Sequence, residues 1–175
     1  MPASRYVPKH RAIKESATKT WKRVAAVGAT VPTALATGVA VGGPAMAASQ
    51  RQEKIHNALE VARNQKGDPY SYGSDGPGSF DCSGLIQYSY GKSNIKMPRT
   101  TDQQAGRART IAKEDMRKGD LMFFEDGGDV YHVGIFGGWN GHQRRRVLHA
   151  PNEGENVHTE LVWTNDWHAA TMRGA

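Results

Sequence analysis

The chain has a single cysteine, Cys82, in 175 residues. One thiol excludes an internal disulfide. In a chain that reads as secreted, it leaves an inert buried side chain, a link to another chain, or a nucleophile. Metal-binding spacings are also missing. There are seven histidines, yet no His-x-x-x-His and no Cys-x-x-Cys occurs, so neither a metal nor a cofactor is expected. No internal repeat or low-complexity tract is visible, and residues 48–175 suffice for one small domain.

The excess of positive charge is local. Residues 1–47 hold seven basic side chains and one acidic, which leaves sixteen of each sign in residues 48–175. The overall charge of +6 therefore belongs to the N-terminal segment, and nucleic-acid binding by the remainder is not expected. Arg144-Arg145-Arg146 is the one local basic cluster, read as a solvated turn flank rather than a polyanion patch.

The N-terminal segment has the order of a secretory signal. A basic stretch ends at Lys22-Arg23, an uncharged Ala/Val/Gly-rich run follows, and Ala45-Met46-Ala47 offers a small-x-small cleavage site. A retained membrane anchor is the alternative. It is disfavoured by Pro32, Pro44 and the glycines, and by the scarcity of Leu, Ile and Phe. No cysteine follows the run to carry a lipid, and Lys22-Arg23 is not a twin-arginine pair. The expected division is a signal peptide over 1–47 and one domain over 48–175, secreted and without a stable membrane anchor after cleavage.

Within that domain, Ile55, Ala58, Leu59 and Ala62 predict an amphipathic helix over 50–66, stopped at Gly67. A turn-rich stretch at 74–79 precedes a second helix over about 82–90, with Asp81 or Ser79 as its N-cap. A short helix is expected over 101–106. Strands are expected at 121–125, 131–136, 146–150, 157–162 and 167–172, with Asn140-Gly141 in a hairpin loop over 137–145. Helices first and antiparallel strands after predict an α+β domain, a helix packed on a meandering sheet.

This order can supply thiol chemistry. Cys82 falls in the first turn of a helix, where unpaired N–H groups and the dipole favour a thiolate. The strands around 132 and 149 can place His132 beside His149 on one sheet face, with the Cys82 helix lying over them. Cys82 is then the nucleophile and His132 the base that later protonates the leaving amine. His149 fixes the His132 tautomer, and the Cys82 N–H contributes to an oxyanion site. His142, in the loop, competes with His149 for the third role; His149 is favoured because a strand holds it in place. His56, His158 and His168 read as surface or structural, and Trp139, Trp163 and Trp167 as core, rim or a ligand-binding surface.

Seven short runs, in order, carry a resemblance. They are Pro69-Tyr70-Ser71-Tyr72-Gly73, Phe80-Asp81-Cys82-Ser83-Gly84-Leu85, Pro98-Arg99-Thr100, Gln103 or Gln104, Lys118-Gly119-Asp120-Leu121-Met122-Phe123-Phe124, His132-Val133-Gly134-Ile135 and Leu148-His149-Ala150. Together they resemble the NlpC/P60 family of papain-like cysteine peptidases. The resemblance implies a papain-like fold and the hydrolysis of amide bonds in peptidoglycan stem peptides, commonly the D-γ-glutamyl to diamino-acid bond. It places Cys82, His132 and His149 in the catalytic positions, Tyr70 near the nucleophile, and Asp81 and Ser83 where substrate is contacted. The chain departs from the family at Gly73-Ser74, where a Gly-Gly pair is common, and in its longer connection from His132 to His149. The implied protein is a monomeric, secreted cell-wall enzyme acting on stem peptides. An N-acetylmuramoyl-L-alanine amidase, an acyltransferase and a non-catalytic wall-binding protein are the alternatives.

Overall fold

The computed structural model describes residues 43–175. The basic stretch and most of the uncharged run of the expected signal lie outside them; its last residues, from Pro44, form the start of the first helix. Three helices come first, α1 (Pro44–Arg63), α2 (Cys82–Lys92) and α3 (Thr101–Arg107). Six strands follow, β1 (Arg109–Ile111), β2 (Leu121–Asp126), β3 (Asp129–Trp139), β4 (Arg145–His149), β5 (His158–Leu161) and β6 (Trp167–Thr171), with a short 3-10 turn at Lys113–Asp115. None of the described helices is long and apolar enough to cross a membrane.

Helix α1 starts earlier than the apolar spacing predicts because Pro44 occupies its first turn, where a missing N–H costs nothing. It also ends earlier. The Gln65 N–H bonds to Ala62 O, an i to i−3 bond that tightens the chain before Gly67. Its apolar stripe, Ile55, Ala58, Leu59 and Ala62, is fully buried. Leu85, Ile86 and Tyr90 of α2 pack beside it, each aliphatic side chain stabilising the fold by roughly 1.5–3 kcal/mol.

The strands form one antiparallel sheet in the order β1-β6-β2-β3-β4-β5. Strands β2 to β5 are the expected meander. Strand β6 then returns to the free side of β2, and β1, a three-residue strand with no sequence signal, completes the edge. Loop 137–145 is shorter than expected, because β3 runs past a bulge at Phe136/Gly138 to Trp139. The Asn140 side chain accepts from the His142 and Arg144 N–H groups and closes the turn.

Alternation divides the sheet into two faces. Leu121, Phe123, Val133, Ile135 and Leu148 meet the helices. Met122, Phe124, Phe136, Val147 and Trp167 form a second apolar cluster on the other side. The register pairs Phe124 with His132 and His149 with His158, so both imidazoles of interest share the face of Phe124 and Val147. This corrects the expectation that the Cys82 helix lies over them. Helix α2 packs on the opposite face, and Cys82 and the two imidazoles line one cavity where the β3–β4 pairing runs out.

Candidate active site

Cys82 opens α2, and Asp81 is the N-cap, its Oδ1 accepting from the Gly84 N–H at 2.7 Å. The other oxygen, Oδ2, accepts from the Gly73 N–H at 2.9 Å. Arg99 grips the carboxylate with both terminal nitrogens, at 2.9 and 2.5 Å, and also donates to Ser83 Oγ. Burial alone pushes the Asp81 carboxyl up, but the Arg99 hydrogen bonds, the Gly84 N–H and the Arg99 charge hold it below its ordinary value. This bound carboxylate fixes the turn on which the thiol sits. Gly84 is required there, since a Cβ would lie 2.2 Å from Ser74 O. The motif glutamine that is buried is Gln104, which donates to Ser83 O and Pro98 O and ties α3 to the head of α2.

The Cys82 sulfur is partly exposed and lies 3.9 Å from Thr101 Oγ1. The Val133 N–H is directed at it, along the length of β3 that extends past its paired residues Ile135 and Leu148. Burial and the nearby Asp81 charge push the thiol up, and the Thr101 hydroxyl, the Val133 N–H and the Ser83 N–H at the start of α2 offset this in part. A thiol raised in this way favours its protonated form, so any reaction at the sulfur needs a base to take the proton.

His132 and His149 do meet. His132 Nε2 lies 2.8 Å from His149 Nδ1, with ring centroids 5.0 Å apart. Gly134 makes room for them, since a Cβ there would meet Val147 at 2.3 Å and the His149 Cβ at 3.3 Å. Trp163, half exposed, stacks on both Phe124 and His149. Burial lowers His132 to about 4. Burial, with His132 and His158 nearby, lowers His149 to about 3. Both rings are thus neutral at neutral pH, and one is the donor to the other. His149 Nε2 lies 2.9 Å from Glu160 Oε1, yet off the line of a hydrogen bond, so it is buried without an aligned partner among the described residues.

Two adjoining cavities share Tyr70, Cys82 and Tyr131. The first, about 380 Å³, carries His132, His149, Glu155, Glu160 and Trp163. The second, about 450 Å³, carries Asp81, Ser83, Arg99, Thr101 and Asp102. Cys82 sits at their junction. Of the residues singled out from sequence, Cys82, His132, His149 and Tyr70 share the first cavity, and Asp81 and Ser83 line the second. His142 lies in the turn beyond the far end of β3, whose last residue, Trp139, is roughly 23 Å from His132 at strand spacing. Sequence reasoning missed Thr101, Glu160 and the His158 side chain beside His149. The i, i+2 spacing of His158 and Glu160 on a strand was a usable signal.

A family model described as the NlpC/P60 family matches residues 67–175. The probable endopeptidase p60 of Listeria innocua is 38% identical over 103 residues, covering 57% of this chain and 21% of its own. A probable endopeptidase of Corynebacterium glutamicum is 35% identical over 121 residues, covering 69% of this chain and 54% of its own. The chain thus spans from about a fifth to about half the length of these relatives. The crystal structure of the NlpC/p60 domain of peptidoglycan hydrolase SagA superposes with a TM-score of 0.58 at 30% identity, over 67% of this chain and 97% of that one. Three helices on an antiparallel six-stranded sheet match this papain-like architecture.

Proposed function

The chain belongs to the NlpC/P60 family, and on that premise we propose that it is a peptidoglycan hydrolase of the cysteine peptidase type. The bond it cuts in this reading is an amide of the stem peptide, the D-γ-glutamyl to diamino-acid linkage. The relatives named as endopeptidases and the peptidoglycan hydrolase SagA support the substrate class. The observation that carries the reading is the pair His132 Nε2 to His149 Nδ1 at 2.8 Å, on the same cavity as the chain's only thiol.

The roles follow from the donors and acceptors. His132 donates its Nε2 proton to His149 Nδ1, which leaves His132 Nδ1 with a lone pair. As a scissile carbonyl enters, the Cys82 proton moves to that lone pair and the sulfur attacks carbon. The imidazolium so formed is held by His149, whose Nε2 lies 2.9 Å from the Glu160 carboxylate charge without an aligned hydrogen bond to it. The first-turn N–H of Cys82 has no intrahelical partner and is available to the oxyanion. The imidazolium then protonates the departing amine, and water releases the acyl group from sulfur. Tyr70, between the two cavities, and Ser83 are placed against the substrate chain. Asp81 contributes through Arg99 and the cap, since its oxygens are already occupied.

Export fits the same reading. Cleavage after Ala47 removes only the first turn of α1. Residues 45–50 are exposed, and the buried stripe starts at Ile55. The mature product is a secreted monomer acting at the cell wall. The test is mass spectrometry of defined muropeptides after incubation. A product pair split at the γ-glutamyl bond is expected, and none with Cys82→Ala. Release of intact stem peptides identifies an amidase instead, and equal cleavage by Cys82→Ala removes the thiol from the mechanism.

A further inference from the structure

We propose that His149, His158 and Glu160 form a binding site for a divalent transition metal of the zinc type, and that filling it switches off the base at His132. The binding claim stands on geometry; the switching claim rests on the peptidase reading above.

Pairing of β4 with β5 sets His149 opposite His158, and Glu160 falls two residues on, on the same face. One donor atom from each of the three lies within 4.8 Å of the other two. His149 is 2% exposed, and its Nε2 has no aligned hydrogen bond among the described residues. That orphaned nitrogen lies 2.9 Å from Glu160 Oε1, off the line of a hydrogen bond to it. His158 keeps one ring nitrogen free for a metal. Its Nδ1 lies 2.8 Å from Asn156 O, a group that only accepts, so Nδ1 carries the proton and Nε2 presents a lone pair. This backbone bond to the second nitrogen is a common support for a metal-bound imidazole.

Two imidazoles and one carboxylate suit zinc, with a fourth position left for water; magnesium and calcium favour oxygen sets. A tetrahedral ion with bonds of about 2.0–2.1 Å needs donors roughly 3.3 Å apart. The partly exposed His158 and Glu160 side chains can close inward by that amount, while His149 stays fixed. Glu160 lines the first cavity, which gives the ion access from solvent.

Occupation changes the tautomers along the pair. A metal on His149 Nε2 displaces that proton to solvent, and the ring's remaining proton must sit on Nδ1. Nδ1 faces His132 Nε2 at 2.8 Å, so His132 Nε2 passes its proton to His149 and becomes the acceptor. His132 takes one proton from solvent at Nδ1. Protons balance, one released and one taken up. His132 Nδ1 then has no lone pair for the Cys82 proton, and the ion itself narrows the cavity beside the sulfur.

The test uses the full chain without a histidine tag. Titration of Cys82→Ala with Co²⁺ is expected to give the visible bands of one tetrahedral nitrogen/oxygen site, displaced by Zn²⁺. His158→Gln is expected to weaken binding by about tenfold or more, with His158→Asn as the second variant if the first folds poorly. In the wild-type thiol protein, Zn²⁺ should inhibit muropeptide cleavage at the concentration that fills the site. His158→Gln should cleave normally without metal and need about tenfold more Zn²⁺. Absence of Co²⁺ bands in Cys82→Ala overturns the site. Equal inhibition of wild type and His158→Gln, with thiolate-to-cobalt absorption in the wild type, assigns the metal to Cys82 and His132 and overturns the switch. If metal-free wild type cleaves nothing, the peptidase reading falls, while the Co²⁺ spectrum of Cys82→Ala still decides the site.

Discussion

Two buried polar clusters occupy opposite ends of β2. At the start of the strand, Asp120 is fully buried, and each of its carboxylate oxygens accepts a hydrogen bond. Oδ1 accepts from the Thr171 hydroxyl at 2.5 Å, and Oδ2 accepts from the Arg117 N–H at 2.7 Å and forms an ion pair with Arg173 at 2.9 Å. Burial pushes this carboxyl up, and the Thr171, Arg117 and Arg173 partners pull it back. At the other end, about 13 Å along the strand, Phe124 pairs with His132, and the chain of polar contacts runs on through His149 to Glu160. That second cluster is left incomplete at His149 Nε2 and opens onto a cavity. A closed polar cluster is a structural clamp. One that is buried and unfinished keeps proton positions in play, which is what acid–base chemistry needs.

Breaking each cluster should separate the two roles. His132→Ala is expected to lower kcat for muropeptide cleavage by about 10³–10⁴-fold with little change in melting temperature; retained turnover removes His132 as the base. Asp120→Asn should cost about 1.5–3 kcal/mol in denaturant unfolding, because the fully buried carboxylate loses its charge-assisted hydrogen bonds and its ion pair with the partly buried Arg173. Turnover per folded molecule should hold. A large loss of turnover at unchanged stability would mean that the clamp reaches the active site.

The finer comparison is within the open cluster. His149→Gln keeps an acceptor for the His132 Nε2 proton and should retain more activity than His149→Ala, which is expected to lose about 10–100-fold in kcat. Identical losses in the two variants exclude tautomer control as the role of His149. Acid stability sharpens the contrast further. His132 and His149 are neutral when folded, with values lowered to about 4 and about 3. The unfolded chain takes up protons below about pH 6.5 that the folded chain does not. Stability is therefore complete above that pH and falls below it, down to the folded values, by up to about 1.4 kcal/mol per pH unit for each ring. Urea unfolding between pH 7 and pH 4.5 should show a shallower slope in His132→Gln; an unchanged slope means that the ring is not buried neutral.

Much of this was legible in the residue order. The buried stripe of α1, the Asp81 cap, the Asn140-Gly141 turn and five of the six strands rest on local spacing and local hydrogen bonds, which a sequence displays. Strand β1 was not legible, because Arg109-Thr110-Ile111 becomes a strand only by pairing with β6, about sixty residues away. The sheet face of the histidines was missed for a related reason. The parity of a strand relative to a helix depends on register, and one residue of slip reverses it.

The sequence by itself determined that one thiol heads a capped helix and that two histidines follow on neighbouring strands, since caps and periodicity act between residues close in the chain. Only the tertiary structure decided that burial raises the thiol, that Thr101 and Val133 address the sulfur, and that His158 and Glu160 gather beside His149. Burial and strand register are sums over residues far apart in the chain, and they take their values only once the sheet has closed.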